Sequence, residues 1–451
     1  MILASLLAAV LILAWGGAGA LVAGGLARRL GAAEFFGLST LAGASLVITW
    51  SLLMMTFHLP FAILSSVGVL LIAGLAGYGE WRDRLSRIAA HRPVRAEIIL
   101  ALLLLPAAAK VFAEVQLLPL TGWDSRIIWG FKAKVLSAEG TVLAPAFTDP
   151  YRIHLHPKYP IGVPILQSYF AAIGPADDDR MFKAPIALFG LVAPILLWGV
   201  MRRSAGGGFP AVLGPALLTY LPLWVSALEV SLPEVVSGCL QLAAAGLFLR
   251  WTDDGDIFWA AWGMLFAVQS ALCKQEGMVF LIIYGILVFV HFLRKTAPHP
   301  PAGSIALVPA TIAVCGALSW IALSRHLPIV STVDYAGIVL NGEWTCSAGK
   351  LTLILLELGA IIASPSSWGF LFPLAAAAAV TLDGRLMWLT LLIAAYALAF
   401  VPVFVLSPWQ PLEPHIRIAL PRILLQIAPL AVLLIGERMR QSGWTLHSAP
   451  R

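Results

Sequence analysis

The sequence predicts an all-α polytopic transmembrane helical bundle of about thirteen spans, with two further short interfacial or re-entrant helices. Three observations predict it. Of the 451 residues, 60% are hydrophobic and only 12% charged, with a mean hydropathy of +0.90, whereas a soluble domain carries about a quarter charged residues. Apolar runs recur along the whole chain at lengths that cross about 30 Å of hydrocarbon. Arginine and lysine concentrate in the short loops between those runs, the distribution that sets membrane topology.

The runs expected to span are 2–27, 36–57, 60–79, 96–118, 183–201, 210–229, 232–250, 256–273, 278–293, 303–323, 367–382, 386–406 and 422–437. The first lacks a basic leading region, so it reads as a retained helix and not as a cleaved signal peptide. Two apolar pieces, 161–174 and 350–364, are only about fourteen or fifteen residues long, which suits a re-entrant or interfacial helix. Charge decides their topology. The loop 80–95 holds Arg82, Arg84, Arg87, Arg92 and Arg95, which assigns it to the cytoplasm and 119–182 to the outside. With 161–174 and 350–364 not crossing, Arg202, Arg203, Arg250, Arg294, Lys295, Arg385, Arg438 and Arg440 all fall inside. The expected arrangement has its N-terminus outside, its C-terminus cytoplasmic and two large external loops, 119–182 and 324–366. It divides into three N-terminal helices (1–95), a central membrane core (96–323) and a C-terminal part (324–451).

The first external loop has its own pattern. From Asp124 to Ala138, an amphipathic stretch places Trp123, Ile127, Phe131 and Val135 four apart, on one helical face suited to the headgroup layer. An extended, proline-broken run follows from Thr148 to Pro160. A loop of this length with aromatic and apolar content points to function and not to disorder. The formal charge of +6 lies mostly in topology-setting loops, so a nucleic-acid partner is not expected. The four cysteines, Cys239, Cys273, Cys315 and Cys346, are scattered and suggest neither a disulfide framework nor a thiolate metal site.

Chemistry-bearing residues concentrate at the ends assigned to the outside. Gly122-Trp123-Asp124-Ser125 is followed by Trp129, Lys132 and Lys134, then by His156-Pro157-Lys158-Tyr159-Pro160. Downstream come Lys274-Gln275-Glu276-Gly277, then Trp409, Arg417-Ile418-Ala419-Leu420-Pro421-Arg422, Gln426 and Pro429. Together these resemble the GT-C superfamily of membrane glycosyltransferases, whose bacterial relatives include protein O-mannosyltransferases and the lipid A aminoarabinose transferase. The likeness covers about 96–437 and leaves the first three helices outside it.

The resemblance implies a GT-C-like fold in the bacterial inner membrane, with an active site facing the periplasm. It implies inverting transfer of a sugar from a polyprenyl-phosphate donor to a lipid, glycan or protein acceptor of the cell envelope. Asp124 matches the first-loop acid that binds or deprotonates the acceptor hydroxyl, a group the chemistry requires; its structural alternative is a helix N-cap. Lys132, Lys134, Lys158, Lys274, Arg417 and Arg422 are cations at the level of the donor phosphate, with His156, Tyr159 and Glu276 beside them. Lys132 and Lys134 lie about 160° apart on a helix, so at most one is expected to face the site. Lys274 could equally snorkel from a helix end, and Arg422 could anchor a span.

The family's second outer acid is less clear, because Glu229-Val230-Ser231-Leu232-Pro233-Glu234 has serine where the aspartate would align. Glu234 and Glu229 are the candidates, with Glu234 also at capping-box spacing from Ser231; Asp149 is a third. The resemblance leaves the cofactor open, since some members of the superfamily use a divalent cation and others do not; His154 and His156, with Asp149 or Asp124, are the candidate ligands. Asp177-Asp178-Asp179 reads as a solvated turn. No Gly-rich phosphate loop stands between a strand and a helix, which fits a lipid-linked donor and disfavours an ATP-driven machine. The alternative class is a transporter or lipid flippase, which would place its charges nearer the bilayer midplane.

Overall fold

The computed structural model describes residues 2–23, 29–59, 63–90, 95–149, 151–152, 156–173, 178–205, 209–294, 306–328, 341, 347–380 and 384–442. Arg92, His154, Asp177, Lys295 and Cys346 lie outside the described residues, as do 329–340 and 342–346 of the second external loop. Among the described residues every regular element is a helix.

The N-terminal trio is α1 (Ile2–Val22), α2 (Ala32–Thr56) and α3 (Ile63–Ala90). Small residues let its backbones touch, as in membrane helix pairs. A Cβ on Gly19 would fall 1.7 Å from the Ser39 carbonyl oxygen, and one on Gly43 would fall 2.0 Å from that of Trp15. The trio then docks on the core: the Trp15 ring meets Phe170 edge-on at 5.4 Å, and Ser51 hydrogen-bonds Tyr169 at 3.2 Å.

The core begins with α4 (Arg95–Leu117), bearing Pro106, and the first outer segment, a π-helical turn Ser125–Gly130 running into α5 (Phe131–Glu139). Next come α6 (Gly162–Ile173), α7 (Ala184–Ala205), α8 (Phe209–Thr219), α9 (Pro222–Glu229), α10 (Glu234–Asp254), α11 (Ile257–Cys273), α12 (Glu276–Arg294) and α13 (Leu307–Ser324). The C-terminal part holds α14 (Ala348–Ile362), α15 (Leu371–Ala378), α16 (Gly384–Leu406), α17 (Leu412–Leu425) and α18 (Ala428–Gln441).

Seven of the described helices are long and apolar enough to cross a membrane, or up to nine if each of two bent pairs counts as one span. Several of the thirteen apolar runs are interrupted among the described residues, for local reasons. The run 210–229 bends by 50° between α8 and α9, where Pro222 starts a new helix. The run 422–437 is likewise the second arm of a pair, α17 and α18, bent by 52°. The run 367–382 breaks at Gly369, whose φ of 57° ends one turn before α15 begins. The run 256–273 gives a helix of only 17 residues. The two pieces expected to be short are short: α6 has 12 residues and α14 has 15.

The amphipathic stretch after Asp124 is helical, and the face expected to meet headgroups points outward. Trp123 is 74% exposed and Ile127, Phe131 and Val135 are half-buried, while Ile128, Trp129, Lys132, Ala133 and Leu136 turn into the protein.

Helix α10 sets the vertical scale of the core. Its 21 residues span about 30 Å at 1.5 Å per residue. Glu234 stands at one end and Asp253 and Asp254 at the other, so each end carries a separate charge network. At the Asp253 end, Glu34 of α2 accepts from Arg203 Nε at 2.9 Å and lies 3.8 Å from Arg250. Arg385 bridges Asp253 at 3.4 Å and Glu437 at 3.6 Å, and Arg440 reaches Glu437 at 3.1 Å.

Candidate functional site

The site is built at the Glu234 end from four separate stretches of chain. Asp124 comes from the first outer loop, just before the π-helical turn. Its neighbour Ser125 is buried and donates its hydroxyl to the carbonyl oxygen of Val230, with Ser231 O also 3.3 Å away. That bond staples the loop to the turn between α9 and α10. The turn itself requires a left-handed residue, and Ser231 supplies it with φ 61°. Two residues after Leu232, Glu234 opens α10 with its side chain fully buried.

Lys274 and Glu276 sit at the joint between α11 and α12. Gly277 permits this tight joint, since a Cβ there would lie 2.2 Å from the Ser270 carbonyl oxygen. Lys274 closes on Glu234 Oε1 and stands 3.5 Å from Glu276 Oε1. Arg422, on α17, completes the group: its Nε donates to Glu234 Oε1 at 2.6 Å and its Nη1 donates to Asp124 Oδ2. The result is an alternating chain, Asp124, Arg422, Glu234, Lys274, Glu276, in which the directly paired Asp124 and Arg422 stand 298 positions apart.

A layer of neutral polar side chains lies one turn deeper. Ser237 Oγ donates to Gln426 Oε1 at 2.8 Å and meets Ser270 Oγ at 2.7 Å, while Gln241 Nε2 reaches Ser237 and Ser270 at 3.2 Å each. All four residues are buried. In the same region Oε2 of Glu234 and of Glu276 are buried without a hydrogen-bond partner, a condition that costs free energy unless a ligand or water supplies the donor. Exposure divides the chain of charges. Glu234 is 0% exposed, whereas Asp124 and Arg422 keep 29% and 25% of their side chains open. Those two present the site, and Glu234 holds the two cations from behind.

Five of the expected site residues therefore meet: Asp124, Glu234, Lys274, Glu276 and Arg422. The others do not join them. Glu229 leaves the group because five positions and the Ser231 turn separate it from Glu234; it pairs with Lys110 of α4. Arg417 is five positions from Arg422, about 140° around a helix, and makes a bidentate pair with Glu357 of α14 at 2.9 Å for both bonds. Lys132 and Lys134 separate as their spacing requires. Lys134 is exposed, while Lys132 is fully buried and donates to the carbonyl oxygens of His156 at 2.7 Å and Tyr159 at 3.4 Å.

Lys132 is thus a post under the His-Pro-Lys-Tyr turn and not a phosphate ligand. The rings of Trp129 and Tyr159 lie 5.7 and 5.6 Å from its ammonium, and His156 stacks on Tyr159 at 4.5 Å. Burial pushes the Lys132 ammonium down to about 7. Lys158, in that turn, is half-buried and forms no ion pair among the described residues. Asp149 accepts from the Tyr151 amide at 2.9 Å and pairs with Arg152 at 3.5 Å, a local turn contact. Asp178 and Asp179 do more than face solvent: Asp178 binds its neighbour Arg180 through Nε at 2.7 Å, and Asp179 accepts from the Leu120 amide at 3.3 Å.

No family model matches the chain, nor does any curated protein or solved structure. Its chemistry is read from the side chains. Sequence reasoning missed Lys110 and Glu357, and the signal for both was available, since each is an ionisable residue inside an apolar run. It also missed the Ser237, Gln241 and Ser270 layer, which small polar residues inside buried spans do not announce.

Proposed function

We propose that this chain is an inverting membrane glycosyltransferase, acting at the Asp124–Arg422 site on a sugar donor linked to a lipid phosphate. The observation that carries the reading is the meeting of a partly open carboxylate, Asp124, with a partly open guanidinium, Arg422, which is itself anchored on the buried Glu234, in a chain rich in helices long and apolar enough to cross a membrane. The resemblance of the same residues to GT-C enzymes supports the donor class and a GT-C-like bundle of about thirteen spans. The distribution of loop arginines supports a bacterial inner membrane with this end in the periplasm and the C-terminus in the cytoplasm.

In this reading the acceptor hydroxyl binds Asp124, which takes its proton as the oxygen attacks the anomeric carbon. The bond from that carbon to the phosphate oxygen breaks, and its electron pair leaves with the lipid phosphate. Arg422 donates hydrogen bonds to the phosphate as negative charge grows there. Glu234 keeps Arg422 and Lys274 in place, so its role is positioning and not proton transfer. The cluster holds three acids against two bases, so long-range attraction of an anionic donor falls to unpaired loop cations such as Lys134 and Lys158.

Of the candidate cation ligands, His154 lies outside the described residues. Asp124 and Glu234 already share a guanidinium, and no group of three or more His, Cys, Asp or Glu side chains forms among the described residues.

The test is incubation of purified protein in lipid nanodiscs with radiolabelled polyprenyl-phosphate sugar and a cell-envelope extract as acceptor. Transfer is expected, with Asp124→Asn slowed by about 100- to 10,000-fold, the usual range for a general base. Passage of the intact donor across vesicles without bond cleavage would assign the chain to the transporters, and full transfer by Asp124→Asn would remove Asp124 from the mechanism.

A further inference from the structure

A second place in the molecule carries chemistry of its own. Between α4, α7 and the bend from α8 to α9 runs an open groove of about 550 Å³, lined by apolar side chains that include Leu104, Val111, Pro194, Ile195, Trp224 and Leu228. That volume falls in the range of sites for one small or chain-like ligand. Helix α4 is held off its neighbours here. It carries Pro106, and at the bend the Tyr220 hydroxyl donates to the Leu103 carbonyl oxygen at 2.6 Å. That carbonyl lies in the turn disturbed by the proline, so one side chain satisfies it and also spaces the two elements.

Lys110 and Glu229 form an ion pair at the lip of this groove, with 50% and 37% of their side chains exposed. Lys110 lies inside the apolar segment Ile98–Val115, and Glu229 ends the bent apolar pair. Lys110 therefore stands within a segment apolar enough to cross a membrane, with Glu229 at a helix end beside it. A half-open ion pair among hydrocarbon is costly, and ionisable residues kept there mark a site.

We infer that the groove holds one chain of a zwitterionic phospholipid whose phosphate binds Lys110 and whose ammonium binds Glu229. Charge complementarity selects this occupant. A headgroup bearing both signs closes a neutral ring of four charges with the pair already present. A singly anionic headgroup would leave its charge beside Glu229 with nothing to compensate it, in a medium of low dielectric. The apolar groove buries the chain while the lip fixes the head. Among the described residues the Lys110–Glu229 pair shares no ion pair with the Asp124–Arg422 cluster, and the proposal stands whether or not the chain transfers sugar.

The test is native mass spectrometry of the detergent-purified chain, mixed with equal amounts of phosphatidylethanolamine and phosphatidylglycerol carrying the same acyl chains. A single phosphatidylethanolamine adduct is expected, favoured by about tenfold over phosphatidylglycerol. Ala107→Trp, which fills the groove and leaves the pair intact, should remove that adduct. The reversed pair Lys110→Glu with Glu229→Lys should keep the preference, and Lys110→Met with Glu229→Met should abolish it. Equal or stronger retention of phosphatidylglycerol by the unaltered chain, or an undiminished adduct in Ala107→Trp, overturns the proposal. The competition on the unaltered chain decides it even where a variant does not fold.

Discussion

The two ends of α10 carry the same kinds of residue in different architectures. At the Asp253 end, Glu34, Arg203, Arg250, Asp253, Arg385 and Glu437 all project from helix ends; Glu34 is sealed at 3% exposure, while Asp253 and Arg203 stay partly open. At the Glu234 end, a loop carboxylate, a residue in a two-helix joint and an arginine from a bent helix pair converge, and two of them stay open to solvent. A network made only of helix ends can do little except fix how those helices dock. A network that takes one accessible member from a loop can bind and react. Burial of charge alone does not identify a functional site; the way the charges are supplied does.

The sharpest way to break this contrast is a variant that should affect chemistry at one end only. Arg422→Lys keeps the positive charge but cannot bond Glu234 through one nitrogen and Asp124 through another. Transfer should fall by about 100- to 1,000-fold, the scale for losing one preorganised donor to developing charge. Thermal stability should change little, because Lys274 still pairs with Glu234. Equal transfer by Arg422→Lys and the unaltered chain would show that the geometry around Asp124 is incidental.

The reciprocal variant is Glu34→Gln. Removing one partner of a buried ion pair leaves an uncompensated charge and costs about 3–5 kcal/mol, so the unfolding midpoint should drop steeply. Transfer per folded molecule should stay the same. A Glu34→Gln protein that is stable but inactive would erase the distinction between the two ends.

Much of the Glu234 end was legible in the sequence, for a geometric reason. Asp124, Glu234, Lys274 and Arg422 each sit where an apolar run meets a loop, and alternation of the runs brings every second junction to the same end of the bundle. What the sequence leaves open is direction around each helix and the length of each turn. Five positions decide between Arg417 and Arg422, and a single left-handed residue, Ser231, decides between Glu229 and Glu234. Hydropathy likewise does not register the bends at Pro222 and at Gln426, which make two helices of one apolar run.

Within the first loop the comparison can be sharpened by pH. Lys132 has an ordinary pKa of 10.5 that burial lowers to about 7, so between those values the unfolded loop binds more protons than the folded one. Stability of the loop therefore rises with pH across that window, by about 1 kcal/mol per unit, and is flat below it, where both states are protonated. Lys132→Met removes this dependence. Hydrogen exchange at Tyr159, whose amide bonds the His156 carbonyl at 2.9 Å, should slow relative to the unaltered intrinsic rate as pH rises from 7 to 9 in the parent chain, and not in the variant.

The smallest effect is expected at the contact that sequence reasoning assigned to the site and the structure assigns to α14. Hydrogen bonds from the Arg417 guanidinium hold the Glu357 carboxyl below the usual carboxylate range, so the pair's contribution is full above the ordinary carboxylate pKa and is lost as pH falls through the lowered one. Arg417 is 60% exposed, which screens the interaction, and Glu357→Gln should shift the opening equilibrium of α14 against α17 by about fivefold at most. Transfer should be unaffected. A cysteine pair across α14 and α17, read by crosslinking rate, would follow that opening. Loss of transfer in Glu357→Gln equal to that in Arg422→Lys would return Arg417 to the site, because a guanidinium that matters only for docking two helices has no route to the reacting atoms.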